Sequence, residues 1–230
     1  MEDKSTRSNL IVKKRAVWIW SSIFLLIFLM LIVAFFFHTT ILFHAGKFMA
    51  PGGDYEADVA ILEGSEFVPT GIVDLGLNLL SSGKVKRLVI VLHRIARLHR
   101  PYGLNTDYAN LVTKELQDHG LKETDFKIIE TSIRNPVTLT SARVVLDVVS
   151  RENVKSAILL SSGFHTRRSF LAYQFAGIPL QIKIFPIACF TDYEPDQWWT
   201  KYDGIRDFCT EVLKLAYYMV GGYIPLKFSF

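Results

Sequence analysis

The chain has 230 residues, half of them hydrophobic, and a formal net charge of +4 with a sequence pI near 9.0. That length suits one globular domain with an appendage. Five Lys/Arg and two acids fall within residues 1–15, so the tail carries +3 (5 − 2) and the rest of the chain about +1 (4 − 3); the basic pI is therefore a local signal, and nucleic acid is not expected as a partner.

Taken in chain order, residues 1–15 form a basic tail, with Lys4, Arg7, Lys13, Lys14 and Arg15. Residues 16–37, AVWIWSSIFLLIFLMLIVAFFF, run for 22 residues without Asp, Glu, Lys or Arg. At about 1.5 Å per residue a helix of that length covers about 33 Å, roughly a bilayer's hydrocarbon core. Trp18 and Trp20 sit where amphipathic rings anchor at the interface. The next basic residue is Lys47. The charge bias predicts a single-pass protein of the inner (cytoplasmic) membrane, with its N-terminus in the cytoplasm and its main domain extracytoplasmic, or periplasmic. A cleaved signal peptide is the competing reading; the run exceeds the usual apolar core of such peptides, and no small-residue cleavage site follows cleanly.

Residues 38–54 are a linker ending in Pro51-Gly52-Gly53-Asp54, and residues 55–230 form the main domain. Apolar runs at 57–64, 87–93, 126–130 and 156–162 predict buried strands, and 180–187 alternates as an edge strand. Helical patterns fill 69–83, 106–120, 137–152, 165–175 and 205–220. Thr106 is a candidate N-cap, and Thr138 or a neighbour another. In the last helix Ile205, Phe208, Val212, Leu215 and Met219 are expected to share the packed face. Buried strands alternating with helices predict an α/β, Rossmann-like three-layer sandwich with a mainly parallel sheet, preceded by one transmembrane helix. Ligands of such folds sit beyond the carboxyl ends of the strands.

Those ends hold the chemistry. After the first strand come Glu63, Gly64 and Ser65: an acid that suits a general base, a sugar-hydroxyl acceptor or a metal ligand, and a glycine whose backbone a ligand can approach. After the second come His93, Arg94, Arg97, His99 and Arg100, and after the third Arg134 and Asn135. The fourth strand ends in LLSSGFHTRRSFLAYQFAG, residues 159–177. Ser161 and Ser162 close it, and His165, Arg167 and Arg168 open the next helix. A helix start prefers anionic side chains, so three cationic residues there break a local rule and suit a bound anion instead. The catalytic candidates are Glu63 and His165; the ligand-binding candidates are Gly64, Ser65, His93, Arg134, Asn135, Ser161, Ser162, Arg167 and Arg168. No dinucleotide, P-loop, nucleophile-elbow or zinc pattern occurs, so no metal is expected and no cofactor is assigned. Cys189 and Cys209 fit no metal spacing; one disulfide is open to them outside the cytoplasm, although isolated thiols in apolar surroundings suit a core.

These motifs together resemble the SanA/ElyC/YdcF family of bacterial envelope proteins. The matching residues are Asp58 and Gly64 in DVAILEG, Ser162, His165 and Arg168 in the strand–turn–helix motif, and Trp198, Trp199, Glu211 and Lys214 near the C-terminus. The resemblance covers roughly residues 55–220. It departs at Leu92-His93, where the family has Ser-Gly, and at Asn135-Pro136-Val137-Thr138, where it has Asn-Thr-x-Glu-Asn. It implies a Rossmann-like domain in envelope biogenesis, in peptidoglycan, polysaccharide or lipid-carrier metabolism. The partners expected are the membrane and an anionic or phosphorylated small molecule, such as a lipid-linked or nucleotide-linked sugar. The domain then either processes that precursor or, as a non-catalytic factor, only binds it or a protein partner.

Overall fold

The computed structural model describes residues 4–64, 68–94 and 108–225. The chain divides into two compact units, Met1–Ala45 and Gly46–Phe230.

The first unit is one element, helix α1 (Lys4–Met49), whose last turn belongs to the second unit. Its described side chains from Trp18 to Thr40 are exposed on every side, apolar or not. No single described helix is straight, long and apolar enough to cross a membrane. The pair Trp18–Val33 and Phe35–Met49, bent by 65°, qualifies together by length and composition.

The second unit alternates strands and helices as the hydrophobic pattern predicts. The strands are β1 (Val59–Glu63), β2 (Arg87–Arg94), β3 (Phe126–Ser132), β4 (Ser156–Ser162) and β5 (Lys183–Cys189). Between and after them lie α2 (Thr70–Ser81), α3 (Tyr108–Asp118), α4 (Val137–Ser150), α5 (His165–Gly177) and α6 (Tyr202–Val220). All strand pairs are parallel, in the order β3-β2-β1-β4-β5. Val59 is flanked by Arg87 on β2 and Ala157 on β4, so β1 is central. The sheet is built outward from β1 in both directions, and the order reverses between β1 and β4. Their carboxyl ends therefore open a crevice, the usual ligand position in such sheets.

Side-chain alternation along β1 decides what points where. Ala60 and Leu62 enter the core made with Ile72, Val73 and Leu79 of α2 and Val112 and Leu116 of α3. Glu63 therefore points to the opposite face, toward α5. Burying β1 and β4 on both sides explains why they read as unbroken apolar runs. At the other end of β1, Asp58 accepts hydrogen bonds from the Lys155 N–H (2.9 Å), the Ser156 N–H (3.0 Å) and the Ser156 hydroxyl (3.1 Å). These bonds, the Lys155 amide first, hold its carboxyl below the usual range although burial works against them. Asp58 thus clamps β1 to β4 at the end away from the crevice.

Several boundaries shift. The edge strand begins at Lys183 because Ile178–Leu180 form a short 3-10 turn and Gln181 adopts a left-handed conformation. Thr106 and the basic loop residues Arg97, His99 and Arg100 lie outside the described residues, as does the Arg94 side chain. Thr138 does not cap α4: the N-cap position is Pro136, with no side-chain cap. In α6 the packed face is Gly204, Glu211, Leu215 and Tyr218, whereas Ile205 (44% exposed) and Val212 (38%) face outward. The two cysteines are free, Cys189 half-buried and Cys209 exposed rather than in the core.

Candidate functional site

The crevice is filled from below by a polar network that starts at Glu63. This carboxylate is buried, accepts hydrogen bonds from the hydroxyls of Ser161 (2.8 Å) and Ser169, and lies 3.3 Å from His165 Nε2. Burial alone raises a carboxyl pKa, but His165 and the two hydroxyls outweigh it, and Glu63 stays below the usual range.

His165 stands at the first position of α5, after the turn at Gly163. That glycine has φ +45°, which admits the sharp change from strand to helix, and its N–H donates to the Cys189 carbonyl at 2.7 Å. The imidazole is held at both nitrogens. Nε2 meets Glu63; Nδ1 lies 3.4 Å from Glu211 Oε2 and 2.9 Å from Arg168 Nη2. Burial disfavours its charge and Arg168 opposes it, but Glu63 and Glu211 prevail, so His165 titrates above the ordinary histidine value.

Arg168 is buried one turn along α5. Its Nε and Nη2 grip Glu211 in two bonds of 2.9 and 3.1 Å, and Nη1 donates to the Thr138 hydroxyl at 2.6 Å. The Tyr218 ring lies below the guanidinium, 5.1 Å to its centroid, and the Tyr218 hydroxyl accepts the Thr138 N–H at 3.1 Å. One α4 amide thus finds its partner in α6, in place of a side-chain cap. Lys214 adds a bond to Glu211 at 2.9 Å. Burial pushes the Glu211 carboxyl up, but bonds from His165, Arg168 and Lys214 drive it far below the usual range. A buried ion pair held by these bonds ties α4, α5 and α6 together.

A neighbouring chain runs from His93, whose Nε2 lies 3.1 Å from Ser141 Oγ. Ser141 and Thr131 are 3.0 Å apart, and the Thr131 hydroxyl donates to the Leu92 carbonyl (3.4 Å). Thr131 has then spent its proton, Ser141 donates to it, and His93 donates through Nε2. Burial lowers the His93 pKa, with His165 adding to this and Glu63 working against it.

Above the network lies a cavity of about 390 Å³ between the β4–α5 turn, the loop after β5 and α6. His165, with 26% of its side chain exposed, forms part of its floor. Lys214, Arg206, Asp207 and Asp192 bring charges of both signs to its walls, and Phe190 and Tyr193 bring rings. Tyr193 points its hydroxyl at Asp207 Oδ2 (3.4 Å); burial and that carboxylate keep the phenol protonated. Phe164, buried beneath the turn, packs edge-on against Phe190, Trp198 and Phe208, and Trp198 stacks on Phe208 at 4.1 Å. Trp198 is thus core, and Trp199 is half-buried beside it.

The structure sorts the sequence candidates. Glu63, Ser161, His165 and Arg168 meet in one network, and His165 and Ser162 line the cavity. The three cationic residues of the α5 start part company: His165 reaches the cavity floor, Arg168 is consumed by Glu211, and Arg167 lies over the Phe48 ring at 4.2 Å. The Gly64 N–H bonds the Val91 carbonyl at 3.2 Å, because β1 continues to pair with β2 there. Arg134 and Asn135 are exposed in the β3–α4 turn and do not line the cavity. Ser65 lies outside the described residues. Sequence reasoning left Glu211, Lys214, Ser169, Thr138 and Asp207 out of the site. For Glu211 a signal existed: it shares the i, i+4, i+7 face of Leu215 and Tyr218, and a charge on the packed face of a helix demands a partner.

No protein-family model, curated protein or solved structure matches the chain. The resemblance to the SanA/ElyC/YdcF proteins therefore rests on the motifs quoted from the sequence.

Proposed function

We propose that this is a membrane-anchored envelope-biogenesis protein of SanA/ElyC/YdcF type, whose outer domain holds a phosphorylated, sugar-bearing precursor in the cavity above His165. The observation that carries this reading is the placing of His165: its ring stands on the cavity floor, with Nε2 3.3 Å from the buried Glu63 and Nδ1 against Arg168 and Glu211. Such a ring turns its C–H edge to the cavity, with both nitrogens engaged by the network below. Lys214, half exposed and with donors to spare, adds a positive group beside it. Phosphate at that end and sugar hydroxyls against Asp192, Asp207 and the rings of Phe190 and Tyr193 fit the mixed walls. Glu63, buried under His165, then acts as a positioning residue.

Binding is measured on the full chain with a panel of polyprenyl-phosphate sugars and nucleoside-diphosphate sugars. The expected result is binding of at least one, weakened about tenfold or more by Lys214→Ala and by His165→Gln, since one charge-assisted contact contributes about 1.5–3 kcal/mol. Absence of binding across the panel, or affinity indifferent to both substitutions, overturns the reading.

A second reading, hydrolysis or transfer on the same ligand, is favoured by the Glu63–His165 pair itself, since a buried carboxylate orienting an imidazole is a recurrent catalytic arrangement. Turnover of a bound panel member, abolished by His165→Gln and reduced by Glu63→Gln, establishes it. Binding without turnover excludes it.

Membrane anchoring through residues 16–37 belongs to the same proposal. An apolar helix with exposed side chains and no core of its own needs an apolar solvent, and the basic tail before it sets the orientation.

A further inference from the structure

Helix α6 is amphipathic the wrong way round for a soluble domain. Its inward face carries the buried Glu211, and its flank with Asp207, Thr210 and Lys214 lines the cavity. At about 3.6 residues per turn, the face opposite Glu211 and Leu215 consists of Ile205, Cys209, Leu213, Ala216 and Val220, with Arg206 at its edge paired to Asp203 and Asp207. Leu213 is 71% exposed and Val220 90%. The composition then continues: from Val212 to Phe230 there is no Asp or Glu, two lysines (Lys214 and Lys227), and aromatics at Tyr217, Tyr218, Tyr223, Phe228 and Phe230. Exposed apolar side chains with the exposed Tyr217 beside them, and no acid after Glu211, match the chemistry of a bilayer surface.

A second copy fits less well. The 19 residues of α6 make a strip about 28 Å by 10 Å, or about 300 Å². A stable protein interface takes about 800 Å² per partner.

We propose that the outer face of α6 lies on the lipid surface and sets the mouth of the cavity beside the bilayer. The ligand entering there is then lipid-linked rather than nucleotide-linked. The inference rests on the proposed anchor only for keeping lipid at hand, and alkaline carbonate extraction of membranes tests that anchor separately.

Cys209, exposed on the strip, provides the probe position. The full-length Cys189→Ser chain carries an environment-sensitive fluorophore on Cys209, in vesicles of phosphatidylcholine and phosphatidylglycerol. Glu123→Cys with both native cysteines replaced by serine gives a control site on an exposed turn. The expected result is a blue shift and quenching at Cys209 by doxyl-labelled lipid, with little access for aqueous iodide, and the reverse at position 123. Leu213→Glu with Val220→Glu brings the Cys209 probe to the control level. Should that double variant lose its native circular dichroism, Val220→Glu alone serves. Equal iodide access at both sites overturns the proposal. So does shielding at Cys209 with energy transfer between copies and no lipid quenching, which indicates a dimer. Lipid quenching untouched by the glutamates overturns it as well. If carbonate releases the chain, the anchor fails, and the same probe read with added vesicles still decides the α6 contact.

Discussion

At the residue scale the decisive group is His165, one of three cationic residues in adjoining positions with three different fates. Its titration sets a pH signature. The folded pKa lies above the ordinary value, so the stability it contributes is complete below about pH 6.5, the unfolded histidine value, and is lost as pH rises through the folded value. Glu63 and Glu211 are depressed, so their contribution is present above about pH 4.3 and is lost as pH falls through their folded values. Denaturant unfolding across pH is therefore expected to show a plateau with two limbs. His165→Gln flattens the alkaline limb and leaves most of the acid limb, which Arg168 still sustains through Glu211. Arg168→Leu strands a buried carboxylate and is expected to cost about 3–5 kcal/mol, read as a lower urea midpoint. Arg168→Lys recovers part of that, because it keeps the charge but not the two-bond grip.

At the scale of elements, the turns and joints matter more than the helices themselves. Gly204 begins α6 against the carbonyl of Trp198, where an added Cβ overlaps backbone that has nowhere to move. Gly204→Ala is expected to displace the start of α6, lower the melting temperature and alter tryptophan fluorescence, since Trp198 stacks on Phe208 of the same helix. At the opposite end of the sheet, Asp58→Ala removes three hydrogen bonds between β1 and β4. It is expected to cost about 1–3 kcal/mol and to leave ligand affinity unchanged, which binding measured on the same variant checks. Asp58 and His165 both carry the family resemblance, yet one stitches the sheet and the other faces the cavity. Chain order already separates them, because Asp58 opens its strand while His165 follows the carboxyl end of another; what the sequence hid is the pairing partner of each.

At the scale of the whole molecule, the chain joins a span-length apolar segment to an α/β domain whose cavity lies beyond the carboxyl ends of β4 and β5, against α6. Full-length protein is expected to remain in membranes through carbonate extraction, and a chain lacking residues 1–37 to be released; recovery of both in the soluble fraction refutes anchoring. The alternation of buried strands and helices was legible throughout because burial on both faces leaves an unmistakable apolar run. The packed face of α6 was not: Ile205 and Val212 look like core by periodicity, and the apolar side turned outward while Glu211 turned in.

The sequence by itself determined the order and kind of the elements, the apolar N-terminal segment and the strand ends at which polar residues gather. Those follow from hydrophobic period and local turn chemistry, which are properties of neighbours along the chain. Only the tertiary structure decided that Glu63, itself held by Ser169, and Glu211 converge on His165, and that Arg167 and Arg168 separate. It also showed that Gly64 spends its amide on the sheet. Each of these depends on residues far apart in the chain, 27 positions for Gly64 and Val91 and 106 for Glu63 and Ser169, coming within reach of each other, and on which protein group takes up each donor once water is gone.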